Sequence, residues 1–352
     1  MTVLSPRPGP APIAGAASPL PRTDYITRLP VLILFPHSRC NCRCLMCDIW
    51  KATARDEITV DEVSQWVSEW RALNVERVVL SGGEALLHRE LWQLCDVLRS
   101  ADIGITILST GLLLARHAEE LVKRCDDVVV SLDGPRDIHN AIRNVPRAFE
   151  RLAEGVRAVR EADASVAITA RCTVQHANHH ALRATVRDAR SMGVDRISFL
   201  AADTSSSAFN RPTGWELDRV DSVAVRADEL DALAAELDAL ESECSEEFAS
   251  GFIVESTDKL RRRLLMHFAA QHGVGEFPPN QCNAPWVSSV VEADGTVRPC
   301  FFQPALGNIR SAPSLSAILN SDDAVAWRNG LDIQRNEICR RCVCTLSLSE
   351  VH

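Results

Sequence analysis

RCNCRCLMCDIW, residues 39–50, places four cysteines within eight positions. Cys40, Cys44 and Cys47 read as C-x3-C-x2-C, with Cys42 between them and able to replace one of them in another pairing. Either way, three thiolates can converge on one small inorganic object. Soft sulfur ligands select zinc, copper(I) or iron–sulfur clusters. A structural zinc takes four protein ligands in a closed tetrahedron. Three thiolates on a [4Fe-4S] cube instead leave one iron open to bind a further molecule. Spacing favours the cube and leaves zinc as the alternative.

The rest of the composition narrows the setting. The chain has 352 residues, 46% hydrophobic and 24% charged, as in ordinary globular enzymes. That length suits one large domain plus a small one. Nine of its 13 cysteines gather at two ends, within residues 40–47 and 282–344. Disulfide scaffolds are short and secreted, so a reducing cytoplasm and metal or cluster ligation explain this distribution better. The net charge of -9 and the lack of a dominant basic run argue against duplex nucleic acid as a partner. No apolar run is long enough to span a bilayer, and the N-terminus lacks a secretory pattern. A cytoplasmic protein without a membrane partner is therefore expected.

Outward from the cysteine loop, a rhythm sets in. VLILF at 31–35 reads as a buried strand feeding the loop directly. Further strands are predicted near 76–80, 103–108, 127–132, 165–172 and 195–200. Stretches such as LWQLCDVLRS and AFERLAEGVRAVREA lie between them, with apolar residues three and four apart. Six short strands alternating with amphipathic helices make an α/β fold with a parallel sheet. Residues 1–28, rich in Pro, Ala, Gly and Ser, are expected to be a disordered leader. The βα units fill 29–205, and 206–277 reads as a helical linker region with an acidic and a basic helix. In 278–346, WVSSVVEADGTVRPC is a hairpin around a DG turn.

Three motifs fall at strand ends in order: CNCRCLMCD after the first strand, LSGGE at 80–84 after the second and SLDG at 131–134 after the fourth. Together they resemble the radical S-adenosylmethionine (radical SAM) enzyme superfamily, over residues 30 to about 200. The resemblance implies a partial (β/α)6 TIM-like barrel. It implies Cys40, Cys44 and Cys47 as ligands of a [4Fe-4S] cluster whose open iron chelates S-adenosylmethionine, with Cys42 a bystander. Gly82, Gly83 and Glu84 match the GGE-type cofactor motif. Glycine permits close backbone approach, and a carboxylate can accept hydrogen bonds from the methionine ammonium. Ser131 matches a position touching the ribose or methionine moiety, and Arg143 resembles an arginine that holds the methionine carboxylate. Met46 is expected beneath the adenine through its backbone. Asp133 is expected to fix the turn after Ser131, and His37 to hydrogen-bond within the cysteine loop.

Other residues are weighed on their place alone. Arg171 ends the fifth strand, where a barrel presents ligand-binding groups, and is a candidate cofactor or substrate contact. Cys172 beside it is a weaker candidate, as a hydrogen-atom donor. His176, His179 and His180 in QHANHH tempt a metal reading, but helix-start polar packing is the blander expectation. Cys95, Cys125 and Cys244 read as small hydrophobes.

The second cysteine set, Cys282, Cys300, Cys339 and Cys342, has gaps of 18, 39 and 3, with Cys344 left over. Spacing alone fits a four-thiolate zinc site and an auxiliary [4Fe-4S] equally. C-x17-C, GNI and CRRC resemble the twitch domain, the short form of the SPASM domain, over about 280–345. That implies a small C-terminal iron–sulfur domain with one auxiliary cluster, saturated by four thiolates and suited to electron transfer.

The family chemistry implied is reductive cleavage of S-adenosylmethionine to a 5′-deoxyadenosyl radical that abstracts hydrogen. The electron would come from a reductase such as flavodoxin or ferredoxin. With one auxiliary cluster, the expected outcome is two-electron dehydrogenation of an alcohol on a polar small molecule (an aminocyclitol, sugar or nucleoside) in natural-product biosynthesis. Asp203 and Arg211 are candidates to hold its polar groups. The alternatives are a redox-neutral decarboxylase or epimerase, a ribosomal-peptide maturase, or an electron-transfer protein without turnover. Only a short leader precedes the barrel, which lowers the expectation of a peptide substrate.

Overall fold

Alternation of buried and half-buried residues along each strand builds the sheet. The computed structural model describes residues 22–211 and 214–349. All six expected strands form: β1 (Val31–Leu34), β2 (Arg77–Leu80), β3 (Gly104–Ser109), β4 (Asp127–Ser131), β5 (Ala167–Val174) and β6 (Arg196–Ala201). They lie side by side in chain order, every neighbour pair parallel. Helices join them, so the partial (β/α)6 barrel is present, with an open edge at β6.

The two faces differ chemically. Ile168, Ala170, Cys172 and Val174 of β5 are fully buried, as are Val128 and Val130 of β4. This face lies beneath helices such as Leu91–Ser100, which buries Leu91, Leu94, Cys95 and Leu98 at helical spacing. The opposite face carries Ser131, Arg171 and Ser198. Register sets Ser131 beside Arg171 and Arg171 beside Ser198, so the three form one row across β4, β5 and β6. Side chains alternate along a strand, so Cys172 points away from this row.

The C-terminal region continues the sheet. The expected hairpin forms as β7 (Ser288–Val291) and β8 (Thr296–Arg298), joined through Gly295 at φ +86°. β7 pairs in parallel with β1, and β9 (Gly307–Asn308) completes nine strands. Polar contacts lock this extension to the barrel. Arg310 pairs with Glu62 at 2.6 Å, and Glu69 accepts the backbone N–H groups of Leu315 and Ser316 at a helix start.

Two expectations about the segments around the barrel need correction. Most of the expected leader, residues 1–21, lies outside the described residues. Residues 22–28 are packed: Ile26 is buried and its N–H donates to Asn320 at 2.7 Å, and Arg22 lies over Trp286. Nor are residues 206–277 a mere linker. Ile197 donates to Phe252 O, Val254 donates to Ile197 O and Glu255 accepts Phe199 N–H. An exposed strand edge must satisfy its backbone groups, and this segment does so for β6. Among the described residues, no helix is long and apolar enough to cross a membrane.

Because β7 covers the edge of β1, the barrel should not survive alone. A chain ending at residue 281 is expected to aggregate or to unfold at a clearly lower temperature than the full chain. Size-exclusion chromatography and a thermal melt check this; a soluble monomer with an unchanged midpoint would contradict it.

Candidate functional site

The cysteine loop leaves β1 at Phe35 and is held from three sides. His37 accepts Arg39 N–H at Nδ1 (2.9 Å), and its Nε2 lies 2.8 Å from Glu84 O. The ring therefore carries its proton on Nε2. Burial lowers its pKa to about 4, so it stays neutral. The loop hydrogen bonding expected of His37 is thus present. From a second side, Arg43 N–H donates to Arg143 O and Leu45 N–H to Ile142 O, at 3.1 and 3.0 Å. These carbonyls end the helix Arg136–Arg143. From a third, Trp215 donates to Asp48 at 2.7 Å and Arg219 donates to Leu45 O.

Gly82 and Gly83 serve this contact. Glu84 N–H donates to Arg39 O at 2.9 Å. A Cβ on Gly83 would stand 1.9 Å from that carbonyl, and one on Gly82, at φ +94°, 2.9 Å from the Phe35 ring. The glycines let the second loop lie directly on the cysteine loop. Glu84 departs from its expected role. Its carboxylate is fully buried and accepts Ser109 Oγ, Thr110 N–H, Thr110 Oγ and Leu86 N–H. Those bonds occupy the acceptor positions expected to meet an ammonium, so Glu84 binds β3 to the loop instead.

Arg143 is withdrawn from solvent. It sits in a last helical turn, buried, with Nε 2.6 Å from Asp133 Oδ2 and a terminal nitrogen 3.6 Å from Cys44 Sγ. Burial opposes its charge, yet Asp133 and the neighbouring thiols raise its pKa. Asp133 is fully buried; its other oxygen accepts Thr173 N–H at 3.0 Å, and its own carbonyl accepts Asn178. It fixes the turn after β4, as expected, and also aims the arginine.

Among the thiols, burial pushes Cys40 and Cys47 up to about 12. Cys44 is lowered to about 7, by a hydrogen bond with Cys42 and by the Arg143 charge. Cys42 is raised by that same bond and by burial. The guanidinium lies against Cys44, so Cys44 is the thiolate of the pair. Cys42, read as a bystander, is a buried neighbour of a ligand candidate. Met46 is half-buried in the loop.

The second set also comes together. Burial, with contributions from Cys282 and its neighbours, raises Cys300 to about 12 and Cys339 to about 11, and raises Cys342. Gln303 donates to Cys339 Sγ at 3.2 Å, and Asn280 donates to Cys339 O. Cys342 Sγ donates to Cys344 O at 3.2 Å, while Cys344 itself is exposed. Soft thiolates in both sets suit an iron–sulfur cluster.

Residues 34–189 match the family model of the radical SAM superfamily, and residues 282–343 that of SPASM, an iron–sulfur cluster-binding domain. The chain carries a radical SAM superfamily domain followed by a SPASM iron–sulfur domain. Its curated relatives include the AdoMet-dependent heme synthase of Methanosarcina barkeri, 26% identical over 44% of this chain and 45% of that protein. A probable GTP 3′,8-cyclase of Methanocella arvoryzae is 33% identical over 38% of this chain and 44% of that protein. The chain spans under half the length of each. Among solved structures, SuiB of Streptococcus suis bound to S-adenosylmethionine has a TM-score of 0.64 at 13% identity, covering 91% of this chain and 73% of that one. The radical SAM fold with its C-terminal extension is shared.

Several candidates fall elsewhere. Cys172 is fully buried on the helix-facing side of β5, with Asn178 3.6 Å from its sulfur, so it cannot hand a hydrogen atom to the inward row. Asp203 and Arg211 are bonded to each other and buried, with Arg211 stacked on Trp215; they brace a loop and do not reach for a ligand. The histidine pair gains a partner that spacing could not show. Glu229 lies 2.7 Å from His176 Nδ1, and His176, His179 and Glu229 bring donor atoms within 4.8 Å. Ser131 and Arg171 remain on the inward face, where Arg171 donates to Ser198 Oγ at 3.3 Å. Sequence reading missed Lys259, Arg263, Trp215 and Arg219. Only the basic start of TDKLRRR signalled any of them.

The buried pair is open to a stability test. Asp133→Asn leaves the Arg143 charge unpaired and is expected to cost about 3–5 kcal/mol. Breaking the exposed Arg28–Glu76 pair with Arg28→Ala should cost under about 1 kcal/mol. Denaturant unfolding of both variants gives the comparison; equal, small losses would contradict the role given to Asp133.

Proposed function

We propose that this chain is a radical SAM oxidoreductase that removes two hydrogens, as a two-electron oxidation, from a secondary alcohol on a polar small molecule. One observation carries the reading. A single cavity of about 90 Å³ is lined by Arg171 and Ser198 of the barrel and by Val343, Cys344 and Thr345, which directly follow Cys342. The segment that directly follows Cys342 thus lines the cavity in which the inward row would hold a substrate.

Cys40, Cys44 and Cys47 would hold a [4Fe-4S] cluster, and Cys282, Cys300, Cys339 and Cys342 a second one. Bound there, the first cluster with S-adenosylmethionine would supply one-electron cleavage of the sulfonium and abstraction of a substrate hydrogen atom; the hydroxyl proton would pass to solvent, and the second cluster would take up the remaining electron. The chain's own residues do the positioning. Arg143, fixed by Asp133, presents a permanent cation beside Cys44, suited to the methionine carboxylate. The Gly82–Gly83 backbone closes the loop against Arg39. Ser131 faces the same side as Arg171 and would meet the cofactor's polar atoms. A flavodoxin or ferredoxin is the class of reductase this chemistry calls for. Relatives named for tetrapyrrole and GTP chemistry support a small molecule over a peptide.

Reconstituted protein should hold about eight irons and release 5′-deoxyadenosine when reduced with S-adenosylmethionine. Alanine at Cys40, Cys44 or Cys47 should abolish that release, while Cys42→Ala should retain it. Alcohol substrates should return lacking two hydrogens. Unchanged mass, or loss of carbon dioxide, would replace the dehydrogenase by a redox-neutral reaction; modification of a peptide would replace the substrate class.

A further inference from the structure

Three consecutive arginines divide into two kinds. Arg261 pairs with Asp238 and Glu241 at 2.5 and 3.1 Å, and Arg262 with Asp258 at 2.8 Å. Arg263 turns inward and hydrogen-bonds neutral acceptors, Asn280 Oδ1, Cys342 O at 3.5 Å and Thr345 Oγ1 at 2.6 Å, with the thiols of Cys342, Cys282 and Cys344 nearby. The backbone here, Arg261–Met266, is a π-helical turn. Such turns are rare and recur at functional sites, where they re-aim side chains.

Lys259 stands four residues before Arg263, a spacing that puts both on one helix face. Both line the 90 Å³ cavity with Arg171, which reaches it from β5 across the sheet's open edge. Among the described residues, none of the three cations forms an ion pair, although arginines elsewhere on the chain do so repeatedly. The one carboxylate lining the cavity, Glu255, accepts Phe199 N–H at 3.0 Å. Three cations against one lining carboxylate leave an excess of positive charge around a half-open cavity with room for a group of several heavy atoms, more than a single water needs.

We propose that Arg171, Lys259 and Arg263 bind an oxyanion, a carboxylate or a phosphate carried by the substrate, an assignment that rests on the reading of this cavity as the substrate site. Arg171 and Arg263 offer planar forks suited to bidentate contact with such a group, and Lys259 a mobile point charge. The cations come from the barrel wall and from the helix that closes its edge. An anion between them would anchor one end of the substrate beside the auxiliary cysteines, leaving its other end toward Ser131 and the first cysteine loop. The substrate class then narrows from polar molecules in general to acidic ones, such as a sugar acid or a phosphorylated sugar or nucleoside.

The test uses full-length, anaerobically reconstituted protein titrated calorimetrically with inorganic phosphate and, separately, malonate. Saturable binding of at least one probe is expected, and which one binds tells a phosphorylated from a carboxylated substrate. Lys259→Ala should weaken it about tenfold, the effect of losing one charged hydrogen bond. Lys259 makes no hydrogen bond through its ammonium among the described residues, so this variant should fold normally. Arg262→Gln removes the same charge one turn outward and should change nothing. Arg263→Gln should weaken binding at unchanged iron content. The proposal fails if neither probe binds, if Lys259→Ala and Arg262→Gln weaken binding alike, or if Arg263→Gln only depletes iron. Release of 5′-deoxyadenosine, measured on the same samples, separates the two readings: cleavage without anion binding overturns this inference alone, and anion binding without cleavage overturns the radical reading alone.

Discussion

A guanidinium and a carboxylate 2.6 Å apart, both out of reach of solvent, hold the centre of this molecule together. Placing two charges in a protein interior is costly, and only good geometry with every remaining acceptor filled offsets it. Asp133 meets the condition. One oxygen takes Arg143, the other takes Thr173 N–H, and its backbone N–H and carbonyl engage His139 and Asn178. The pair thereby fastens the ends of β4 and β5 and the helix that carries the cysteine loop's two backbone anchors. Arg143 ends against Cys44, so the same interaction that joins these elements also sets the charge next to the first thiol set.

The second constraint is steric. Two loops that leave neighbouring parallel strands must pass each other at backbone contact, and only glycine at position 83 allows the Arg39 carbonyl to lie there. Glu84 makes the approach permanent by filling its carboxylate with donors from the end of β3. A residue type that suggests ligand binding is thus spent on architecture. The proposed cofactor contacts then fall to backbone groups, to Ser131 and to the aimed arginine.

The auxiliary cysteines inherit their position from hydrogen bonds in the sheet. β7 lies parallel to β1, so the strand that feeds the first cysteine loop also registers the second region. Segment 252–255 does the equivalent at the opposite edge, and the helix after it delivers Lys259 and Arg263 to the cavity shared with residues 343–345. Closing the open barrel edge and building the polar cavity are one structural act.

Much of this was legible in the residues themselves. Period-two and period-3.6 patterns specified six parallel strands and their helices, because burial of one strand face and one helix stripe is a local property of the sequence. Cysteine spacing marked two thiol sets, since C-x3-C-x2-C and CRRC are confined to short loops. The partners of isolated charges could not be read in the same way. Asp203 and Arg211 looked available and are consumed by each other; Arg143 gave no sign of its partner Asp133; Cys172 looked like a mouth residue and faces the helices. Arg261, Arg262 and Arg263 are identical letters, yet only the third lacks a carboxylate. Charge pairing acts over a few ångströms between residues scores of positions apart, and strand parity shifts with register. Those quantities exist only once the chain has folded.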